Sequence, residues 1–327
     1  MNLTDRVYGK IKITEPVILD IIGSPVFQRL RGIDQIGYME PFYKGVSHSR
    51  FEHSIGVYWL LHIYGAPLEE QIAGLIHDVS HLAFSHCADY ALDTGAHHKQ
   101  DLQDRLHHQF VGGSEIPSIL IKYGFKPEEV LNDKRHPLKE NTLPDICADR
   151  IDYSLRTARV FKNATQKEII EILSRLKAKN NRWFFDDFKT ARSFAELFMK
   201  LNREHYASLR SAVMFRTVGD TLRHAIQKKY ISEKDLYKQD TDVIRKIKKH
   251  LKTDAVLKLK WDRMHNKIPF IDDPKKEGER LVCKSRVIDP MFQDHNQLRR
   301  VSEKDAAFAK KLKAELKPKQ YFIKFEK

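Results

Sequence analysis

Apolar residues recur along this chain mainly at intervals of three and four, the spacing of helices that bury one face. The run "SPVFQRLRGIDQIG" (24–37) predicts a helix with Ser24 as N-cap, Pro25 at the first helical position and a stop at Gly37. "FEHSIGVYWLLHIYG" (51–65) predicts a second helix ending at Gly65, and "PLEEQIAGLIHDVSH" (67–81) a third, whose early acidic residues suit the helix dipole. Further helices are expected near 99–111, 142–161, 165–178 and 187–230, the last broken once. Strand patterns are short: "GKIKI", "RWFFD" after the turn-like pair Asn180-Asn181, "RLVCKSRVI" and the terminal "QYFIKF". The expected fold class is mainly α, a helical core with a few short antiparallel strands in peripheral and C-terminal parts. Near 231–240 the chain becomes more charged and less periodic, which divides it into a core over 1–235 and a basic lobe over 236–327 of mixed helix and short strands, packed on that core.

Composition narrows the class. With 327 residues, 41% of them hydrophobic, the chain can bury one large core or two ordinary ones. No apolar run reaches membrane-helix length, and the start "MNLTDRVYGKIKITEP" lacks the features of a signal peptide, so a soluble cytoplasmic protein with no membrane partner is expected. Cys87, Cys147 and Cys283 are far apart and form no CxxC pair, which argues against a disulfide framework and against a thiolate metal site. The formal charge of +14 draws anionic partners, whether nucleotides or nucleic acid. Its densest runs, "RKIKKHLK", "DPKKEGER" and "AKKLKAELKPKQ", are read more simply as solvated surfaces than as a dedicated nucleic-acid face.

One stretch breaks the apolar pattern with chemistry. "GLIHDVSHLAFSH" (74–86) sets His77, Asp78, His81 and His86 in otherwise apolar surroundings. On a helix, His77 and His81 would share a face, with Asp78 about 100° around from His77. A lone buried histidine is usually a hydrogen-bonded core residue, but three beside an aspartate suit a divalent transition metal, and an unpaired buried carboxylate would be costly. "HSRFEHSIG" adds His53, and Arg50 near a helix N-terminus, where a guanidinium and unpaired backbone donors suit phosphate. "PDICADRIDYSLRTA" places Asp149, Asp152, Tyr153 and Arg156 at i, i+3, i+4 and i+7, a polar stripe apart from Ile146, Ile151 and Leu155. Taken alone, that stripe is expected to face solvent. "HDVSH" is not read as a metalloprotease HExxH, because Asp is too short to act where Glu does.

Together "SRFEHSIG", "GLIHDVSHLAFSH" with Asp89 just beyond it, and "DRIDYSLR" resemble the HD-domain phosphohydrolases, most closely their deoxynucleoside-triphosphate triphosphohydrolase branch. The similarity begins with "DRVYGKIKI" and "SPVFQRLRGIDQIG" and runs in order to about residue 230; beyond that it is carried by "KSRVIDP" and the final strand. The resemblance implies an HD-domain helical core and one divalent ion (Mn, Fe, Zn, Ni or Mg) held by His53, His77, Asp78 and Asp149, with open positions for water and a phosphate oxygen. It implies that His81 and Asp89 assist proton transfer at the scissile phosphate, with Asp89 orienting His81. It further implies that His86 contacts phosphate and that His98, with His97 equally near, is a second catalytic histidine. Gln35, Arg50, Arg150 and Tyr153 match substrate contacts, the Tyr153 ring leaving no room for a 2′-hydroxyl.

The chain also departs from the branch. Lys99 stands where glutamate often follows the second histidine, Thr157 where an acidic residue bonds the sugar 3′-hydroxyl, and Met214-Phe215 where a Tyr-Gln pair is found. Gln28 and Arg31 of a guanine-nucleotide activation site are kept, but Gly23 replaces the aspartate that reads guanine, so that activation is not expected. The implied activity is hydrolysis of dNTPs to deoxynucleoside and inorganic triphosphate by a homo-oligomer. The alternatives are an HD-type phosphodiesterase or nuclease acting on another nucleotide or single-stranded nucleic acid, and a catalytically idle nucleic-acid-binding module.

Overall fold

The computed structural model describes residues 1–92 and 102–326, apart from the side chains of Leu102 and Asp104. The expectations for His97, His98 and Lys99 lie outside these residues. The chain opens with an antiparallel hairpin, β1 (Asn2–Asp5) and β2 (Gly9–Lys12), followed by helices α1 (Pro16–Gly23) and α2 (Pro25–Gln28). Ser24 caps α2 as expected, accepting from the Phe27 N–H at 3.4 Å, but the helix expected to reach Gly37 ends after one turn and a 3-10 turn, Arg29–Gly32. Asp34 explains the early exit: its Oδ1 accepts from the backbone N–H groups of Ile36 (3.0 Å) and Gly37 (3.2 Å), a local turn that competes with the helix.

Helix α3 (Arg50–Ile63) is the axis of the molecule. Ser49 and Glu52 close a capping box at its start, and Gly65, at φ +73°, reverses the chain just past its end, where the sequence places the stop. Phe51, Ile55 and Tyr58 enter one apolar cluster, while Val57, Leu60 and Leu61 enter another. Both α4 (Leu68–Ile76) and α9 (Ala148–Val160) pack on α3. Between them lie α5 (Cys87–Leu92), α6 (Leu102–Gly112), α7 (Ile116–Lys122) and α8 (Pro127–Val130). Helix α4 stops at Ile76, short of the expected His81, so His77 and His81 do not share a helix face. The Arg29 guanidinium holds the turn that replaces the helix, its Nη2 donating to the carbonyls of Val79 (2.6 Å) and His81 (2.7 Å). Phe84 and Ser85, at φ +61° and +48°, then reverse the chain into α5.

After α10 (Gln166–Arg175) a strand begins at Leu176, inside the expected helix. Strands β3 (Leu176–Lys179) and β4 (Arg182–Phe185) form a hairpin through Asn180 and Asn181, both at positive φ. Helix α11 (Phe188–Leu201), a π turn over Asn202–Tyr206 and α12 (Leu209–Gln227) realise the broken helix, followed by α13 (Asp240–Lys248) and α14 (Ala255–Met264). The remaining chain supplies β5 (Phe270–Asp272), β6 (Glu279–Cys283), β7 (Met291–Asp294), β8 (Gln297–Arg300), α15 (Val301–Lys304), α16 (Ala306–Glu315) and β9 (Lys319–Phe325). Strand β9 lies between β5 and β6, antiparallel to both. The β7–β8 hairpin extends the β3–β4 pair through a parallel contact, Phe185 to Phe292, so the strands are not all antiparallel as expected. The fold is mainly α, and no helix among the described residues is long and apolar enough to cross a membrane.

The polar stripe of α9 does not face solvent. Asp152 and Arg156 are both fully buried, pressed against α3 at Gly56, and they form a bidentate pair with both N···O distances at 3.0 Å. The two helices approach so closely that a Cβ on Gly56 would lie 2.0 Å from Asp152 Oδ1 and 2.4 Å from Arg156 Nη2. Gly56→Ala is therefore expected to cost about 2–4 kcal/mol, because neither buried partner can move without breaking the pair. Chemical denaturation checks it; a loss under about 0.5 kcal/mol, the size of an ordinary surface change, would contradict this packing.

Candidate metal centre and its cavity

Three helices bring the predicted ligands together. His53 projects from the first turns of α3, His77 caps the end of α4 with Asp78 beside it, and Asp149 sits in the first turn of α9. Asp149 Oδ1 lies 2.9 Å from His53 Nε2 and 3.4 Å from His77 Nε2, and the two Nε2 atoms are 3.2 Å apart. Asp78 stands at the edge of the set, its Oδ1 3.5 Å from His77 Nε2 and its Oδ2 3.7 Å from His53 Nε2; the same Oδ2 accepts from Arg50 Nη1.

The second nitrogen of each ring decides what this cluster can do. His53 Nδ1 is 2.7 Å from Asp152 Oδ2 and His77 Nδ1 is 2.7 Å from the Gly74 carbonyl, both partners being acceptors, so each Nδ1 carries the hydrogen. In the neutral rings both Nε2 lone pairs then point at a carboxylate oxygen and at each other. Such a gathering of acceptors is repulsive until a cation enters it. Metal–ligand bonds of about 2.1 Å separate neighbouring ligands by roughly 3.0–3.4 Å, which the observed spacings match. A set of two imidazoles and carboxylate oxygens fits a divalent transition ion. Protons show the same demand. Burial by itself would lower His53, yet hydrogen bonds to Asp149 and Asp152 outweigh it and push the ring up to about 9. Burial would raise Asp149, but His53 and His77 hold it well below the usual carboxylate range.

His77, Asp78 and Asp149 open on a cavity of about 440 Å³, and Gln35, Arg50, His81, His86, Arg150 and Tyr153 all line it. His53 lies buried beneath the floor. Arg50, only 2% exposed, is held by Ser85 Oγ (2.7 Å) and the Gln35 carbonyl (3.0 Å) as well as by Asp78. Arg150 rests on the Asp145 carbonyl (2.6 Å), the Asn141 carbonyl (3.2 Å) and Glu140 (3.3 Å). Asp89 is placed differently from expectation. It lies 3.5 Å from His86 Nδ1, three residues earlier in the turn that leads into α5, and the carboxylate beside His81 Nε2 is Asp78, at 3.3 Å. Burial and the nearby Arg50 charge hold His81 well below the usual histidine range, as a neutral ring.

Buried polar atoms without partners mark what the cavity would bind. Gln35 Oε1 and Arg150 Nε are buried and unsatisfied, and both residues line it. Buried polar groups are seldom left so unless a ligand or water completes them. Of the positions that depart from the branch, Phe215 lines the cavity, stacked on Tyr90 at 5.8 Å and 5°, while Met214 is fully buried below, its Sδ 3.4 Å from the Tyr38 N–H. Lys139, His107 and Arg286 also line the cavity and were not singled out by sequence. "KSRVIDP" contains Arg286, but no pattern points to the other two. Asp152, which fixes the His53 tautomer, had one signal, its spacing of three from Asp149.

This fold and this centre define a class: the chain belongs to the HD-domain metal-dependent phosphohydrolases. It is 35% identical over 308 residues to the uncharacterised protein YdhJ of Bacillus subtilis, covering 93% of both chains. It is 28% identical over 247 residues to the metal-dependent phosphohydrolase cns2 of Cordyceps militaris, covering 72% of this chain and 69% of that one. The deoxynucleoside triphosphate triphosphohydrolase SAMHD1 of Mus musculus is 35% identical over 146 residues, 38% of this chain but only 22% of its own length. The crystal structure of a phosphohydrolase from Bacteroides thetaiotaomicron shares the fold over the whole of both chains, with a TM-score of 0.75 at 17% identity. No protein-family model matches the chain.

The Asp152 carboxyl carries a pH consequence. Burial would raise it, but the Arg156 charge and the His53 hydrogen bond outweigh burial and hold it at about 2. A carboxyl depressed on folding stabilises the fold above its unfolded value, near 4, and loses that contribution as pH falls through about 2, a change on the order of 2 kcal/mol. In urea denaturation of the metal-free protein, the stability gap between wild type and Asp152→Asn should shrink by roughly that amount between about pH 5 and pH 2.5. A gap constant across the window would contradict the buried pair.

Proposed function

We propose that this phosphohydrolase cleaves deoxynucleoside triphosphates to deoxynucleoside and inorganic triphosphate, at a divalent ion held by His53, His77, Asp78 and Asp149. One observation carries the reading. A single cavity joins a cluster of metal-ligating lone pairs to the two buried guanidiniums of Arg50 and Arg150 and to an aromatic ring, Tyr153. Guanidiniums suit a polyphosphate, and a flat ring beside the sugar disfavours a 2′-hydroxyl. The named activity of the SAMHD1 relatives points the same way.

When bound, the ion supplies Lewis acidity toward a phosphate oxygen and makes a water more acidic. Arg50 and Arg150 neutralise the triphosphate; both are already fixed on protein acceptors, so they lose little freedom on binding. His81 is neutral, with its Nε2 toward Asp78, which leaves Nδ1 to accept a proton from the attacking water and pass it on as the sugar oxygen departs. His86, beside Asp89, lines the same cavity, where its ring would contact the phosphates. Tyr153 is itself braced by Tyr206, edge-on at 5.6 Å and 87°.

The test is product analysis with a panel of dNTPs, ribonucleoside triphosphates and a single-stranded oligonucleotide. Intact triphosphate and deoxynucleoside from dNTPs are expected, while pyrophosphate, single phosphate or cleavage of the oligonucleotide alone would contradict the reading. His77→Ala and Asp149→Ala should each lower bound metal, measured by elemental analysis, and turnover together, the latter by about 10³-fold or more, the scale of lost electrostatic catalysis. Full turnover in a metal-free variant would overturn the proposed centre.

A further inference from the structure

We propose that the N-terminal hairpin positions the metal centre: Asp5, at the end of β1, tunes the ligand His53 through Arg156 and Asp152. The inference rests on the metal reading above and adds to it a residue from a part of the chain that does not line the cavity. The path is continuous and buried. His53 Nδ1 donates to Asp152 Oδ2 at 2.7 Å, and that carboxylate receives Arg156 Nε and Nη2, each at 3.0 Å. Arg156 Nη1 then donates to Asp5 Oδ2 at 2.9 Å. The side chains of Asp152 and Arg156 are 0% exposed and that of Asp5 only 3%. The other oxygen of Asp5 accepts from the backbone N–H groups of Val7 (2.8 Å) and Tyr8 (3.1 Å), so the hairpin turn itself fixes where the carboxylate points.

Charge gives the arrangement its effect. Two carboxylates share one guanidinium, which leaves one net negative charge buried behind His53. Asp5 draws off part of the Arg156 charge, so Asp152 remains a strong acceptor, keeps the Nδ1–H of His53 in place and makes Nε2 a better donor to a cation. Without the carboxylate of Asp5 the full guanidinium charge falls on Asp152, which then accepts from His53 more weakly. Asp5→Asn isolates this arm. The amide oxygen can still accept from Val7 and Tyr8, but the amide nitrogen meets the N–H groups of Arg156 and cannot accept from them.

Co(II) binding, followed by its visible absorption, reads the effect without catalysis. Asp152→Asn is expected to raise the Co(II) dissociation constant by about 10–100-fold and Asp5→Asn by about tenfold, the scale of outer-shell partners of metal ligands. Because Asp5 acts through Asp152, Asp5→Asn should change the constant less than about twofold in an Asp152→Asn background, a lack of additivity that general loosening of the fold would not produce. Should Asp5→Asn fail to fold, Arg156→Lys keeps the buried charge but cannot hold both carboxylates, and it should weaken Co(II) by a similar factor. Wild-type affinity in the folded single variant, or fully additive effects in the double variant, would overturn the relay while leaving the metal centre standing. Failure of the wild type itself to bind Co(II) would overturn both.

Discussion

Two imidazoles are made to present their lone pairs to the same point, and the surrounding structure follows from that constraint. Neither ring can relieve it by turning over, because His53 Nδ1 is committed to Asp152 and His77 Nδ1 to the Gly74 carbonyl. Holding them there requires α3, α4 and α9 to meet closely. Gly56 provides the approach of α3 to α9, the early end of α4 turns His77 inward, and the apolar clusters on the two faces of α3 supply the packing that opposes the repulsion. Hydrophobic burial of this extent can sustain a locally unfavourable site, and sites for ions are where folds carry such strain.

The cavity is preorganised in the same sense. Arg50 lies against Ser85, Asp78 and the Gln35 carbonyl, and Arg150 against the carbonyls of Asp145 and Asn141, so both guanidiniums are in place before any phosphate arrives. Among the buried polar atoms that lack a partner, Gln35 Oε1 and Arg150 Nε belong to residues that line the cavity. The turn between α4 and α5 is held from outside the cavity by Arg29, at the Val79 and His81 carbonyls, and from inside it by Arg50, at Asp78 and Ser85.

Much of this was legible in the residues. The stop at Gly65, the strand that follows the turn at Asn180-Asn181 and the break between α11 and α12 follow from local chemistry that no distant contact overrides, whereas β3 begins inside an expected helix. The spacing of His77, Asp78 and His81 announced a centre, and the resemblance brought in His53 and Asp149 from distant positions. Other features depend on partners far along the chain. The end of α4 is set by Arg29, some fifty residues earlier, and the burial of Asp152 and Arg156 depends on the missing side chain of Gly56. A polar stripe on a helix reads as solvent-facing because charge is costly to bury, and only a three-dimensional partner reverses that expectation. Asp89 meets His86 because the two are three residues apart at the entry to α5, and the chain reaches that point through Phe84 and Ser85 at positive φ, a reversal no propensity at those residues suggests.

Anomalous diffraction from crystals grown with Mn(II), recorded on either side of the manganese edge, tests the central claim most directly. A single strong peak within about 2.3 Å of His53 Nε2, His77 Nε2 and an oxygen of Asp149 is expected, with Asp78 drawn in to complete the set. Manganese bound elsewhere while those three atoms stay in contact with one another would contradict it.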